Sequence, residues 1–108
     1  MNKFFSILAL IVSATIISFS NNAYASGEGE QIFSANCAVC HSGGNNAIMP
    51  DKTLKKETLA QYSMNSVDAI VTQVTNGKGA MPAFGGRLSD ENIQDVANYV
   101  LSQSEAGW

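Results

Sequence analysis

The residues best suited to chemistry in this chain lie in the stretch Cys37-Ala38-Val39-Cys40-His41. This C-x-x-C-H spacing is the attachment signature of a c-type haem. Two thiols separated by two residues can add across the two vinyl groups of one haem, and each then becomes a thioether. The next residue, His41, falls under the iron, where its imidazole can act as the proximal axial ligand. The stretch therefore predicts one covalently bound haem c, held by Cys37 and Cys40 and ligated through its iron by His41.

Three other uses of the cysteine pair are open. A thioredoxin-like redox pair would need a βαβ pattern around it, and none is visible. Structural zinc needs four ligands, and the chain has 2 Cys and 1 His, so a carboxylate would have to complete the site. A disulfide would close a very small loop and would constrain the unfolded chain little. The only histidine lies where the haem motif demands it, which favours haem attachment.

A haem iron has a second axial position, and it needs a ligand from elsewhere in the chain. With only 1 His, bis-histidine ligation within the chain is excluded, and a methionine thioether is the natural alternative. Met49 lies only eight residues beyond His41, and Met64 lies between two predicted helices and could belong to the core. Met81 lies in a glycine-rich loop, where Pro82 biases it toward extended backbone. Met81 is therefore the predicted distal ligand, with Met64 and Met49 as alternatives.

Short helices must position these residues. The predicted helices cover 26–39, with Ser26 as N-cap, then 54–62, then 66–76, and a final segment that begins after Ser89. Ser66 and Ser89 are predicted N-caps, and Gly77 is predicted to end the third helix. No alternation typical of a strand is present at any length. The predicted fold class is therefore all-α, with about four short helices wrapped around the cofactor.

The first 25 residues are typical of a secretory signal peptide. A basic start at Lys3 precedes an apolar stretch over 4–19, and Ala23-Tyr24-Ala25 fits the small-x-small cleavage rule. A membrane anchor is the alternative, but the apolar stretch is short for a span of ~20 residues. We predict cleavage after Ala25, so that 26–108 forms a single monohaem domain with no stable membrane insertion.

The mature chain would be small and acidic. Removal of residues 1–25 from the 108-residue chain leaves 83 residues, with five basic against nine acidic residues and a formal net charge of −4. An acidic chain of this kind is not expected to bind nucleic acid. Its size is near the limit at which one core outweighs chain entropy, so we expect the haem-free chain to be unfolded or molten.

Most of the chain resembles the class I cytochromes c, and within them the cytochrome c6 family of algae and cyanobacteria. The resemblance spans 27–108, and its most specific stretch is Met81-Pro82-Ala83-Phe84-Gly85-Gly86-Arg87-Leu88. It implies the class I cytochrome c fold and the function of a soluble one-electron carrier rather than an enzyme. By the same resemblance, a monomer would carry electrons from the cytochrome b6f complex to photosystem I in the thylakoid lumen, through transient contacts with both.

The resemblance also implies roles for single residues. Cys37 and Cys40 would hold the haem, and His41 and Met81 would ligate its iron. Gln73 matches a family position beside the haem, where it would tune the potential. Arg87 matches a family arginine that docks to photosystem I; the alternative is a surface charge with no role. In related folds the first and last helices cross, with Gly29, Phe33 and Tyr99 at the contact.

The leader bears on the host, and the fold leaves open a haem peroxidase, a haem-free thiol oxidoreductase and one nearer alternative. The leader has no Arg/Ser-rich transit peptide ahead of it, which indicates a plastid or cyanobacterial gene, and its Phe/Ile/Asn-rich composition favours an algal plastid. The alternative is a periplasmic class I cytochrome c that donates electrons to a terminal oxidase. Its fold and ligands would be identical, so only the partner would differ.

Overall fold

The computed structural model describes residues 22–108, and this part of the chain is helical. The elements are α1 (Asn22–Asn36), α2 (Ala38–His41), a 3-10 turn (Ser42–Gly44), α3 (Lys56–Gln61), α4 (Val67–Asn76) and α5 (Asp90–Ala106). No strand is present over these residues, and a single antiparallel bridge joins Lys78 and Met81. The predicted all-α class is confirmed. Residues 1–21 lie outside the described part, so cleavage after Ala25 stays a prediction.

The first helix differs from its predicted bounds at both ends. It begins at Asn22, so Ser26 lies inside the helix and the predicted N-cap is wrong: the chain before Ser26 continues in the helical conformation. It ends at Asn36, whose side-chain amide donates to Ile32 O (3.0 Å). Cys37, at φ −110°, then separates α1 from the short helix α2.

The second predicted helix is shorter than expected. It was predicted over 54–62, but α3 begins at Lys56. The backbone of Leu54 is instead committed to long-range hydrogen bonds. Its N–H donates to Gly44 O (2.7 Å), and its carbonyl accepts from the indole of Trp108 (2.9 Å). These bonds hold Leu54 in the segment before α3, and the helical hydrogen bonds begin one residue later, where Leu59 N donates to Lys55 O (2.9 Å).

Three predicted helix boundaries are confirmed. The Ser66 hydroxyl accepts a hydrogen bond from Ala69 N (3.1 Å), and the Ser89 hydroxyl accepts one from Asn92 N (3.0 Å). Each hydroxyl satisfies one of the free N–H groups at a helix start. Gly77 follows α4 with φ +71°, a conformation that favours glycine.

The hydrophobic core forms where α1 and α4 pack on α5. Its buried members are Phe33, Ile70, Val74, Phe84, Ile93, Val96, Ala97 and Val100. At the crossing of α1 and α5, a Cβ added to Gly29 would lie 2.5 Å from Asp95 O and 2.7 Å from Tyr99 Cβ. Only glycine allows the two helices to approach this closely, and the predicted contact at Gly29 is confirmed.

Candidate haem site

The C-x-x-C-H residues form one tight turn at the end of α1. Cys37 O accepts from Cys40 N (3.1 Å) and from His41 N (2.9 Å), which fixes both cysteines on a single turn of backbone. The two thiols are half-buried and are not joined in a disulfide. Cys37 packs against the core, and this burial raises the pKa of its thiol to about 11 by disfavouring the thiolate. The turn presents two thiols at the spacing that two vinyl groups require.

The imidazole of His41 has a defined orientation. Its Nδ1 lies 2.9 Å from Asn45 O. Because a carbonyl can only accept, Nδ1 carries the proton and Nε2 keeps its lone pair free for a metal. Asn45 was not among the predicted site residues, because every residue has a carbonyl and no side-chain type marks this one.

Hydrogen bonds fix the loop that follows the C-x-x-C-H turn. Ala47 N donates to Cys40 O (2.9 Å), and the Asn46 carboxamide oxygen accepts from Ile48 N (3.0 Å) and Met49 N (2.8 Å). The Met49 side chain is 45% exposed in this loop. Because this loop is bonded to the same turn that carries His41, it does not favour Met49 as a ligand on the opposite side of the iron.

Met81 lies at the base of a tight hairpin. Lys78 and Met81 exchange backbone hydrogen bonds of 3.1 and 3.0 Å, so Met81 has the extended backbone predicted from Pro82. A Cβ at Gly77 would lie 2.7 Å from Met81 O, so the hairpin folds back directly over that glycine. Phe84 N then donates to Val74 O (2.9 Å) and ties the hairpin to α4. The half-buried Met81 side chain packs against the core.

Gln73 on α4 contacts the predicted distal ligand. Its Nε2 lies 3.7 Å from Met81 Sδ, within the range of a hydrogen bond to sulfur. Gln73 also lines an open groove of about 480 Å³ along α4, together with Met64. The structure therefore brings Gln73 and Met81 together, and it leaves Met64 at the groove as the alternative ligand.

Arg87 lies on the surface at the end of the Met81 loop. Its guanidinium carbon is 5.6 Å from the centre of the Phe84 ring, a cation–π contact. Within residues 22–108 it makes no ion pair, and its charge faces solvent. The exposed Arg87 therefore lies six residues after Met81 and has no ion-pair partner within residues 22–108.

The donor set fits a c-type haem. It combines two thiols on one turn, an imidazole with a free Nε2 and a thioether sulfur on a separate, hydrogen-bonded hairpin. Over residues 22–108, no three His, Cys, Asp or Glu side chains come together as a metal cluster. Nor does any helix in this part of the chain have the length and apolar character needed to cross a membrane.

The chain is similar to known haem proteins over its whole length. A family model described as "Cytochrome C oxidase, cbb3-type, subunit III" matches residues 25–100. Cytochrome c6 of Porphyra purpurea is 64% identical over 110 residues and covers 100% of both chains. Cytochrome c6 of a Synechococcus species is 54% identical and covers 100% of this chain and 98% of that one. The crystal structure of cytochrome c6 from the diatom Phaeodactylum tricornutum has a TM-score of 0.75 at 64% identity, covering 77% of this chain and 98% of that chain.

These matches differ in how much they specify. The family model places the chain in a cytochrome domain family that includes oxidase subunits. The other relatives are more specific, because each of them is a cytochrome c6. They confirm the predicted class I cytochrome c fold and imply one covalently bound haem c. They do not favour the oxidase-donor alternative. Because the similarity extends from end to end, and because the C-x-x-C-H turn fits the cofactor, this chain belongs to the cytochrome c6 family.

Proposed function

We propose that this protein carries single electrons from the cytochrome b6f complex to photosystem I in the thylakoid lumen of an algal plastid. Its family membership makes it an electron carrier of photosynthesis with one haem c. The observation that supports the proposal is the pair of axial donors, His41 and Met81, held on two separately hydrogen-bonded loops. With His41 and Met81 both bound to the haem iron, no coordination site would remain for a substrate, which would suit a carrier and not an enzyme.

In this proposal each site residue has one task. Cys37 and Cys40 would hold the haem as thioethers, and His41 Nε2 and Met81 Sδ would ligate the iron. When bound, the haem supplies the one-electron Fe(III)/Fe(II) couple. The hydrogen-bonded turn and hairpin would keep His41 and Met81 in place in both oxidation states, which would limit reorganisation. Methionine ligation and burial raise the potential.

The leader and the relatives support an exported compartment. Algal and cyanobacterial sources support a location in the thylakoid lumen or the periplasm. We propose that the signal peptide is removed after Ala25 and that the monomeric domain 26–108 remains in the lumen. Docking to either partner must be weak and brief, because tight product binding would limit turnover.

Flash photolysis tests the proposed partner. We expect the reduced protein to re-reduce flash-oxidised photosystem I, and to be reduced in turn by the cytochrome b6f complex. The same preparation is offered to a terminal oxidase as the comparison. Rapid oxidation by the oxidase, with no reaction at photosystem I, would replace the proposal with the periplasmic alternative.

Gln73→Leu is expected to lower the midpoint potential. The amide N–H of Gln73 places the positive end of its dipole toward Met81 Sδ, 3.7 Å away, and so disfavours the more positive ferric state. One hydrogen bond contributes about 1 kcal/mol, which for a one-electron couple is roughly 40 mV. Redox titration measures the change. Gln94→Leu makes the same chemical change on an exposed site in α5 and should leave the potential unaltered; equal shifts in the two variants would refute a role for the sulfur contact.

Arg87→Glu is expected to slow the reduction of photosystem I without shifting the potential. The exposed guanidinium makes no ion pair within residues 22–108, so its charge is available to a partner. Reversing a steering charge changes the association rate about tenfold at low ionic strength. Added salt should reduce the difference in rate between the variant and the unsubstituted protein. Lys55→Glu makes the same net-charge change on an exposed residue before α3. If both variants are slowed equally, only the net charge matters and Arg87 has no docking role.

A further inference from the structure

The indole of Trp108 lies at a defined place just beyond α5. Gly107 ends the helix in the left-handed conformation (φ +92°), and Trp108 N then donates to Gln103 O (2.9 Å). The Trp108 ring centre lies 5.2 Å from that of Phe33, and the ring lies edge-on to Tyr99 at 6.2 Å. These contacts fix the indole between α1 and the end of α5.

The indole ring covers Gly44 in the turn after His41. A Cβ added at Gly44 would lie 2.5 Å from Trp108 Cδ2 and 2.7 Å from its Cδ1, so no side chain fits between them. Gly44 is buried and has φ +78°, which favours glycine independently. The ring therefore packs directly against the backbone of this turn.

Two hydrogen bonds complete a closed arrangement of three residues. The Trp108 indole N–H donates to Leu54 O (2.9 Å), and Leu54 N donates to Gly44 O (2.7 Å). Residues 38–58, which include His41, contribute no fully buried apolar side chain to the core. Backbone hydrogen bonds and the Trp108 contact are therefore prominent among the interactions that hold this stretch against the helices.

Gly44 is followed directly by Asn45, whose carbonyl accepts from His41 Nδ1 (2.9 Å). We propose that Trp108 is a positioning residue for His41. By fixing Gly44 and Leu54, the indole fixes the Asn45 carbonyl, and that carbonyl sets the orientation of the imidazole. The inference rests on the proposed ligation of the iron by His41.

The proposal predicts a change in the haem and not only in stability. The Nδ1–H bond to a carbonyl makes an imidazole a stronger donor, which favours ferric iron. Trp108→Phe keeps a ring over Gly44 but removes the hydrogen bond to Leu54, and Trp108→Ala removes both. In the haem-loaded protein we expect the midpoint potential to rise in both variants, more in Trp108→Ala. We also expect the His41 Nδ1 proton to exchange faster with solvent, as measured by nuclear magnetic resonance.

A matched control separates positioning from stability. Ile93→Val removes one methyl group from the core at the other end of α5, so it should lower the melting temperature while leaving both haem readouts unchanged. Trp108 variants that lose stability but match Ile93→Val in potential and in proton exchange would overturn the proposal. Failure of the ligation itself would be distinguishable, because the unsubstituted protein would then lack the spectrum of His–Met-ligated haem.

Discussion

Met81→Ala is expected to abolish the low-spin, methionine-ligated spectrum while the haem stays covalently attached. The proposed thioethers at Cys37 and Cys40 do not depend on Met81, whose sulfur is the proposed iron ligand on the separate hairpin. Alanine leaves one axial position open, so the ferric protein should become high-spin or water-ligated and lose its red charge-transfer band. Absorption spectra and a haem-stained denaturing gel check the two halves of this prediction.

The potential should fall in the same variant. Methionine stabilises ferrous iron, and axial ligands set haem potentials over roughly 0.8 V, so its loss should cost a substantial part of that range. Met64→Ala is the matched control, because Met64 is also half-buried and packs against the core. Met64→Ala should keep the charge-transfer band. The reverse pattern, with the band lost only in Met64→Ala, would move the distal ligand to Met64.

The predictions that succeeded depend on local signals. A C-x-x-C-H turn, a serine before an apolar stripe and a proline after a methionine each act within a few residues, so the sequence alone shows them. The Ser66 and Ser89 caps and the extended backbone at Met81 are confirmed for this reason. Gly29 shares a helix face with Phe33, which already allowed a close approach of another helix, and the resemblance to folds in which the first and last helices cross strengthened that prediction.

The contacts that sequence reasoning missed are non-local. Trp108 donates to Leu54, 54 residues earlier, and that pairing depends on how α1 and α5 cross. The start of α3 was missed for a related reason, because Leu54 bonds to Gly44 and to Trp108, both outside that helix. The sulfur contact of Gln73 has no pattern of its own and appears only when the hairpin folds back on α4.

A chain that cannot attach haem is expected to lose its fixed tertiary structure. Nine apolar side chains are buried in residues 27–108. Eight of them form one cluster, and all eight belong to α1, α4, α5 or the Met81 loop. A core in a chain of this length rarely contributes more than about 3–5 kcal/mol. The stretch 38–58 adds no fully buried apolar side chain, and Val39 and Ile48 within it are 86% and 61% exposed. Haem contacts must therefore supply much of its packing.

The test uses two double variants of residues 26–108, each of which replaces both cysteines. Cys37→Ala with Cys40→Ala, and Cys37→Ser with Cys40→Ser, should both lack near-ultraviolet circular dichroism and melt without a cooperative transition. Partial helicity should remain, because α5 keeps its Ser89 cap and its Gly107 end. Agreement between the two pairs excludes an effect of the hydroxyl groups. A sharp, cooperative melt without haem would show that the nine buried side chains suffice, and the cofactor would then be bound by a fold that already exists.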